Sequence, residues 1–477
     1  MTFQPKDGTG FQAIGLHNIA KWPQWGRIAP DVREAVEVVG RVLPFRTNRY
    51  VLDELIDWSR VPDDPIFQLV FPQRGMLQDS EYREVHSLLR SGERTEAMTE
   101  VVNRIRMDLN PHPAGQLTHN VPTVGGERME GVQHKYRETV LFFPSQGQTC
   151  HAYCTYCFRW AQFVGLEGFT FQAKETDQLV DYLKAHTEVS DVLVTGGDPM
   201  IMKSSVLRRY IEPLLSPDLE HIQNIRFGTK AVAYWPQRFV TDTDADDCLR
   251  LFEEISAAGR QVAIMGHYSH PVELEPEIAR QAVRRIRDTG AQIRMQAPLI
   301  RHVNDDSRVW SALWQNGVQL GLIPYYMFVE RDTGARKFFE VPLVEAHEIF
   351  TQAYRVVSGL ARSVRGPSMS AFPGKVRVLG VLTPRDVIGQ HVYETLRHSD
   401  GFDLLGGDPN QKLLLCDFIQ ARNPEWVNRP FLAEFDDGAA WFDDLRPALG
   451  QNHFPFDIDG GDESCRPLTS LTELLHN

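Results

Sequence analysis

The feature that most restricts the fold is a regular alternation of apolar and amphipathic segments between residues 138 and 360. The stretches SSVLRRYIEPLL and PEIARQAVRRIRDTG show helical spacing of apolar residues. Between such stretches lie short runs rich in β-branched and aromatic residues, at 139–145, 191–197, 225–229, 261–268, 292–299 and 323–330. Strands that recur every ~30–50 residues with a helix between them form βαβ units. The pattern predicts an α/β fold whose parallel sheet is either open or curled into a partial (β/α)6 TIM-like barrel, with its chemistry at the carboxyl ends of the strands.

The regions on either side of this alternation differ from it. Residues 1–130 contain two long amphipathic patterns and then the Pro- and Gly-rich stretch NPHPAGQLTHNVPTVGGE. In residues 361–477, VRGPSMSAFPGKVRVLGV indicates a loop that leads into a strand, and acidic clusters follow. We therefore predict a helical N-terminal region over 1–130, a barrel over 131–360 and a C-terminal extension over 361–477.

Composition excludes several classes of protein. The formal net charge of −13 argues against a dedicated nucleic-acid-binding protein. No run of about 18 apolar residues is present, as a membrane span requires, and the first residues lack the basic and apolar regions of a signal peptide. These features predict a cytoplasmic protein in a reducing compartment, where clustered cysteines are more often metal ligands than disulfides.

Three of the six cysteines occur within eight residues, directly after the first predicted strand. Cys150, Cys154 and Cys157 form a CxxxCxxC pattern. Three thiolates can bind three irons of a [4Fe–4S] cluster and leave the fourth iron open to a ligand. Zinc is the alternative, but a structural zinc site normally has four ligands, and the available fourth ligand, His151, lies inside the cysteine loop.

A second motif ends the next predicted strand. Gly196, Gly197 and Asp198 stand at the end of this strand, followed by a proline. Glycines at a strand end allow a ligand to approach the backbone closely. The alternative interpretation is a tight βα turn in which Asp198 caps the following helix.

Together the two motifs resemble the radical S-adenosylmethionine (SAM) superfamily. The resemblance implies that SAM chelates the open iron of the cluster, that the Gly-Gly-Asp motif holds the SAM amino group, and that the reduced cluster cleaves SAM to a 5′-deoxyadenosyl radical. It also implies an electron donor such as flavodoxin or ferredoxin, and it is compatible with a homo-oligomer.

Further segments, in the same order along residues 60–375, resemble the lysine 2,3-aminomutase family specifically. They are DPIFQL (64–69), HKY (134–136), CFR (157–159), WPQR (235–238), HYSHP (267–271), RHVND (301–305) and PYY (324–326). This resemblance implies a 1,2-amino shift on a small-molecule α-amino acid, with the substrate amine carried by pyridoxal phosphate (PLP). The chemistry is then supplied by the cofactors, which the protein orients.

The resemblance also implies individual roles. Lys375 corresponds to the lysine that binds PLP, although only Gly374 remains of the glycine run that normally precedes it. Lys135 and Tyr136 correspond to residues near the PLP phosphate and ring. Arg159 corresponds to the residue that binds the substrate carboxylate, for which a guanidinium is suited. The alternative for Lys375 is an ordinary surface lysine, and that for Arg159 is a solvated or cluster-neighbouring arginine. The alternative for Lys135 is a role unrelated to PLP.

The remaining predicted residues concern SAM and the substrate side chain. His267 follows the fourth strand, where it could contact SAM or be purely structural. Asp305 corresponds to one of two aspartates that bind the distal amine of lysine, or it caps the helix that follows. Ser368 stands where the second aspartate is expected, which puts lysine itself in doubt as the substrate. Cys416 and Cys465 do not reproduce the C-terminal zinc site of some relatives, so we expect no zinc.

Three functions remain open from the sequence. The leading interpretation is an amino-acid 2,3-aminomutase. The first alternative is a radical SAM enzyme of another reaction class that uses no PLP, which the shortened glycine run favours. The second is a non-enzymatic iron–sulfur redox protein, against which the Gly-Gly-Asp motif and Arg159 both argue.

Overall fold

The computed structural model describes residues 10–92, 96–110, 120–165, 171–174, 176–383, 385–386 and 410–457. The chain forms two compact units. The first comprises Met1–Glu340 and Gln352–Val364, and the second comprises Val341–Thr351 and Arg365–Asn477. The predicted three-part division of the chain stays a prediction.

The strands and α-helices have the following bounds. The strands are β1 Ala13–Ile14, β2 Thr47–Asn48, β3 Thr123–Val124, β4 Glu127–Arg128, β5 Val132–Tyr136, β6 Thr139–Phe142, β7 Asp191–Val194, β8 Asn224–Thr229, β9 Gln261–His267, β10 Gln292–Leu299, β11 Ile323–Val329, β12 Arg365–Ser370, β13 Gly374–Leu382, β14 Leu413–Ala421 and β15 Pro430–Glu434. The α-helices are Pro30–Val42, Pro65–Val70, Asp79–Ser91, Glu96–Asp108, Asp177–Ala185, Ser204–Ile211, Ala231–Tyr234, Ala245–Ala257, Glu277–Asp288, Ser307–Gln319, Arg336–Phe339 and Leu343–Arg355.

The first unit contains a parallel sheet in which β6 to β11 lie side by side in sequence order. Strand β5 pairs with β6 in the antiparallel direction. The α/β fold and all six predicted strands are thus confirmed. The first is shorter than predicted because Pro144, which has no N–H to donate to a ladder, stops it after Phe142.

The burial pattern explains why these segments form strands between helices. Along β8 and most of β10, buried residues alternate with half-buried ones, so one face of each strand packs into the core. In the helix Glu277–Asp288 the buried residues are Ala279, Ala282, Val283 and Ile286, which share one face at a spacing of three to four residues. Burial of such faces is the main stabilising term of the unit.

The described part of the N-terminal region contains several helices and the short strands β1 to β4. Pro30 occupies the first turn of Pro30–Val42, where its missing N–H costs nothing. The second predicted pattern forms the helices Asp79–Ser91 and Glu96–Asp108. The predicted linker is only partly described, and its end forms the small β3–β4 hairpin.

The second unit is built around the antiparallel strands β12, β13, β14 and β15, which pair in sequence order. The predicted loop at 365–370 is wrong, because this segment is strand β12. Its sequence, RGPSMS, lacks the β-branched and aromatic residues that indicate a strand. Cys465 lies outside the described residues. No described helix has both the length and the apolar character needed to cross a membrane.

Candidate active site

The predicted site residues of the first unit lie mainly in loops at the carboxyl ends of its parallel strands. The cysteine loop follows β6, and the Gly-Gly-Asp turn follows β7. His267 ends β9, and Asp305 lies in the loop after β10. Because the carboxyl ends of parallel strands share one edge of the sheet, these loops are grouped.

The three clustered cysteines are free thiols of intermediate exposure. Burial raises the pKa of all three, to about 12 for Cys157. The thiols also raise one another's pKa, which shows that they lie within electrostatic reach of each other. Three adjacent thiolates in such surroundings are unstable alone and are stabilised by a bound cationic metal group.

The geometry bears on which metal group these thiols fit. Among the described residues, no three His, Cys, Asp or Glu side chains converge on a point that a single metal ion would occupy. His151 does not turn toward the thiols as a ligand: its ring stacks on Trp235 at 6.3 Å and meets the edge of Phe11 at 5.1 Å. Burial lowers the pKa of His151 to about 3. Three thiols are the ligand set that a [4Fe–4S] cluster with one open iron requires.

Residues of the N-terminal region hold the cysteine loop by its backbone. The N–H of Tyr153 donates to the carbonyl of Arg46 at 2.8 Å, and that of Thr155 donates to the carbonyl of Leu69 at 2.9 Å. The buried Asn48 amide donates to the carbonyls of His151 (3.3 Å) and Tyr234 (2.9 Å). No pattern in the sequence indicated these contacts, because they join positions about a hundred residues apart.

The Gly-Gly-Asp turn packs against the segment that leads into Cys150. The N–H of Asp198 donates to the carbonyls of Gly147 (3.0 Å) and Thr149 (2.7 Å). A Cβ at Gly197 would lie 2.5 Å from backbone atoms of Thr149, and one at Gly196 would lie 2.5 Å from the Gln148 amide nitrogen. Both glycines are therefore needed for the approach of two loops, whatever ligand they also accommodate.

The carboxylate of Asp198 is fully used inside the protein. It accepts from the N–H groups of Met200, Lys230 and Ala231 and from the Thr229 hydroxyl, at 2.7–3.2 Å. It caps the short 3₁₀ helix Pro199–Ile201, as the alternative interpretation expected. Its side chain ties the end of β7 to the end of β8, so the predicted contact of this motif with SAM would fall to the turn's backbone.

We expect Gly197→Ala to destabilise the apo chain by about 1–3 kcal/mol, because the new Cβ forces the turn away from Thr149. Displacement of Thr149 also displaces Cys150, so the variant should retain less iron after anaerobic reconstitution. Urea denaturation and iron analysis measure both effects. Gly359→Ala is the control, since no atom lies within 4 Å of its Cβ position. Equal losses in the two variants would contradict this role of Gly197.

Arg159 is a buried guanidinium with no carboxylate partner among the described residues. Its Nη2 donates to the side-chain carbonyls of Gln162 (2.6 Å) and Gln148 (3.3 Å), and it lies 4.2 Å from the Phe143 ring centroid. Its Nε is buried and has no hydrogen-bond partner. Burial lowers the pKa of Arg159 to about 10. A buried cation in this state is a ready partner for an anionic ligand.

A buried polar network adjoins Cys154. The Tyr156 hydroxyl forms hydrogen bonds with His267 Nδ1 (3.2 Å) and Ser269 Oγ (3.3 Å). The Lys230 ammonium contacts the same Ser269 hydroxyl at 3.3 Å and forms an ion pair with Glu273 at 2.7 Å. Burial lowers the pKa of His267 to about 3, so this ring is neutral. The network links His267 to Tyr156 of the cysteine loop, while its predicted contact with SAM stays a prediction.

Lys230 and Glu273 were not predicted from the sequence. Lys230 directly follows the buried strand β8, and Glu273 lies in the short 3₁₀ helix Pro271–Leu274 after β9. A charged residue at the carboxyl end of a parallel strand was the available signal. It was not decisive, since charged residues there often cap a turn.

Asp305 is half-buried and lies 3.6 Å from a guanidinium nitrogen of Arg301. It is not the helix cap: Asp306 caps Ser307–Gln319 by accepting from the N–H of Arg308 at 2.8 Å. The capping alternative for Asp305 is therefore wrong by one residue. Its predicted contact with a substrate amine stays a prediction.

The structure does not bring Lys135 and Tyr136 to the cysteines. Tyr136 pairs with Thr139 at the start of β6, whereas the cysteine loop follows the other end of that strand. The strand has four residues, so its two ends are three steps apart, which is ~10 Å. The Lys135 ammonium lies 5.3 Å from the Tyr136 ring centroid.

Lys375 belongs to the second unit, where it stands on β13 between Ser370 of β12 and Gln420 of β14. Gly374 before it lies so close to β14 that a Cβ would be 2.4 Å from the Gln420 carbonyl oxygen. Two residues after Lys375, Arg377 forms an ion pair with the buried Asp417 (Nε to Oδ1, 3.0 Å). Ser368, which is fully buried, is the cross-strand partner of Arg377.

Comparison with solved structures adds little. The radical S-adenosylmethionine methyltransferase TsrM from Kitasatospora setae, with cobalamin and a [4Fe–4S] cluster bound, matches 48% of this chain and 44% of its own at 14% identity. The TM-score of 0.29 is too low to support an argument. No family model matches the chain.

Comparison with curated sequences is more informative. A "Putative L-lysine 2,3-aminomutase" from Aquifex aeolicus is 30% identical over 354 residues, which cover 74% of this chain and 82% of the relative. The L-lysine 2,3-aminomutase of Haemophilus influenzae is 29% identical over 49% of this chain and 67% of the relative. The glutamate 2,3-aminomutase of Clostridioides difficile is 28% identical over 44% and 47%, respectively. The order of motifs and the extent of this similarity show that the chain belongs to the L-lysine 2,3-aminomutase family of radical SAM isomerases.

Proposed function

We propose that this protein is an amino-acid 2,3-aminomutase that moves the amino group of a free α-amino acid from C2 to C3. The observation that carries the proposal is Arg159, a buried guanidinium two residues past Cys157 without a carboxylate partner in the described chain. A substrate carboxylate is the anion that would satisfy it. Bound there, a free amino acid would have its carboxylate close to the cysteine loop, because both thiols Cys150 and Cys157 act on the pKa of Arg159.

We assign the [4Fe–4S] cluster to Cys150, Cys154 and Cys157, with SAM on the iron that the protein leaves open. When bound, the cluster and SAM supply a 5′-deoxyadenosyl radical. The protein contributes a desolvated loop that is anchored by Asn48, Arg46 and Leu69. It also contributes a Gly-Gly turn that is free of side chains next to Cys150. The parallel sheet of the first unit is proposed to form the partial barrel of this superfamily around that site.

PLP is assigned to Lys375, because a lysine amine is the side chain that binds the PLP aldehyde. For Lys135 and Tyr136 of the first unit we keep the roles that the family resemblance implies, a lysine that suits the phosphate and a ring that can pack on the pyridine. PLP supplies a carrier for the substrate amine and a ring that stabilises a radical. The first unit's Lys135–Tyr136 pair is already associated at 5.3 Å.

We further propose that the substrate side chain is not cationic. The buried carboxylate nearest to Lys375 on its strand pair, Asp417, is already neutralised by Arg377. Position 368 holds a buried serine beside that guanidinium, and Asp305 faces Arg301. Within the second unit, position 368 offers a lysine ammonium no carboxylate and the Asp417 carboxylate is already paired, so a substrate side chain without a positive charge is favoured. One relative, from Clostridioides difficile, is named for glutamate.

A product assay tests the proposed function. The chain is reconstituted anaerobically with iron, sulfide, SAM and PLP, reduced with dithionite, and incubated with each standard amino acid. We expect a β-amino acid of unchanged mass from a substrate with a neutral or acidic side chain, and at least about tenfold less from lysine, the discrimination worth ~1.4 kcal/mol. Cys154→Ala is the control without a complete cluster. Cleavage of SAM with no isomerised amino acid would overturn the proposal.

A further inference from the structure

The three cysteines differ in the charges that surround them. Burial raises the pKa of the Cys150 thiol, and the nearby Asp198 carboxylate raises it further. Near Cys154 the Lys230 ammonium reaches the cysteine loop through Ser269, whose hydroxyl contacts both the ammonium (3.3 Å) and the hydroxyl of Tyr156 (3.3 Å), two residues past Cys154. Cys154 is therefore the thiol whose stretch of the loop is linked to a buried cation.

Lys230 is held in place from several sides. Its side chain is only 10% exposed, and that of Glu273 is fully buried. The ammonium contacts Glu273 Oε1 (2.7 Å), the His267 carbonyl (3.2 Å) and Ser269 Oγ (3.3 Å), and lies 4.4 Å from the Tyr234 ring centroid. These contacts hold the Lys230 ammonium at one position.

Glu273 is fixed equally well. Its Oε2 accepts from the N–H groups of Ser269 (2.6 Å) and His270 (3.2 Å), where the chain leaves β9. One carboxylate oxygen thus binds the backbone and the other binds Lys230. A buried ion pair of this kind gives little net stability compared with apolar side chains of the same volume, so its position beside a metal ligand calls for another explanation.

We propose that the Lys230–Glu273 ion pair sets the reduction potential of the cluster by fixing one positive charge beside Cys154. This inference rests on the proposed cluster assignment. One electron from a flavodoxin- or ferredoxin-class donor reduces the cluster from the 2+ to the 1+ state. A nearby cation stabilises the more negative reduced state, and the partner carboxylate moderates that effect. Lys230 and Glu273 act here as positioning residues, without transferring the electron themselves.

The two charges should therefore act with opposite signs. Lys230→Gln removes the cation and is expected to lower the ratio of reduced to oxidised cluster about tenfold at a fixed potential, a shift of ~59 mV for one electron. Glu273→Gln keeps an oxygen acceptor for the Ser269 N–H and removes the negative charge, so that ratio should rise. Lys230→Arg should stay near the wild-type value. A merely structural role would move both charge-removing variants in the same direction.

The experiment is a dithionite titration followed by electron paramagnetic resonance, without substrate and with iron and sulfide content measured for each variant. Lys184→Gln is the matched control, because Lys184 forms an exposed ion pair with Asp218 at 2.8 Å. Shifts of opposite sign support the proposal. Potentials that agree with the control, or that shift in the same direction, overturn it. If Lys230→Gln loses its iron, the other two variants decide: Glu273→Gln should raise the ratio of reduced to oxidised cluster while Lys230→Arg stays near wild type, and the absence of a rise in Glu273→Gln overturns the proposal. A wild-type chain that binds no cluster would overturn the cofactor assignment itself, which is a separate result.

Discussion

Arg159→Gln is expected to lower kcat/KM for the amino-acid substrate by about a hundredfold to a few thousandfold. Loss of one partner from a buried, hydrogen-bonded ion pair costs about 3–5 kcal/mol. Each ~1.4 kcal/mol corresponds to a tenfold change in rate. The guanidinium is already desolvated before substrate binds, since it is buried against Phe143 and its hydrogen bonds within the described residues go to neutral amide oxygens. Substrate would therefore gain the interaction without a further cost of stripping water from the arginine.

The decisive measurement compares the free amino acid with its carboxamide. If Arg159 binds the carboxylate, the wild-type enzyme strongly prefers the acid, and the Arg159→Gln variant loses most of that preference while its activity on the amide changes little. Arg106→Gln is the control, because Arg106 is a partly buried arginine bonded to the backbone carbonyls of Arg41, Val42 and Val164. It should change stability but not the acid-to-amide preference. If Arg159→Gln still prefers the acid as strongly as wild type does, the assignment is contradicted.

The sheet of the first unit could be predicted because its signal is local. Each strand from β6 to β11 is a short apolar run, bounded by glycine, proline or polar residues and followed by an amphipathic helix. The second unit was harder to predict. Strand β12 contains Gly366, Pro367 and two serines, residue types that favour turns over strands, and its pairing with β13 overrides that local preference.

The site divides in the same way. The cysteines and Arg159 carry their chemistry in their own residue types and spacing, so the sequence indicated them directly. Asn48, Lys230 and Glu273 act through partners that are distant in the chain, and their contacts follow from tertiary packing alone. Asp198 is the reverse case: the motif was recognised from the sequence, but its carboxylate accepts from the Thr229 hydroxyl and the Lys230 N–H at the end of β8. A motif identifies a position more reliably than it identifies which atoms of that position face the ligand.

Lys375→Ala is expected to reduce the amino shift at least about a thousandfold, on the scale seen when a covalent catalytic group is removed. The reason is chemical, since a lysine amine is the protein side chain that attaches covalently to the PLP aldehyde. Lys375→Arg should fail equally, because a guanidinium keeps the positive charge but is not deprotonated to a nucleophile. Borohydride reduction and peptide mass spectrometry should find a pyridoxyl group on residue 375 of the wild type and on neither variant. Lys412→Ala, an exposed lysine of the same unit, is the control and should keep both the adduct and the activity.

The same variants separate the leading function from a PLP-independent radical SAM reaction. The cysteine loop lies in the first unit and Lys375 in the second, so loss of Lys375 should leave cluster content and the cleavage of SAM near their wild-type values. Substrate isomerisation should then vanish while SAM is still consumed. If Lys375→Ala instead turns over substrate at the wild-type rate, Lys375 is not the PLP lysine. In that case Gly374, which packs on the Gln420 carbonyl, serves only the packing of β13 against β14.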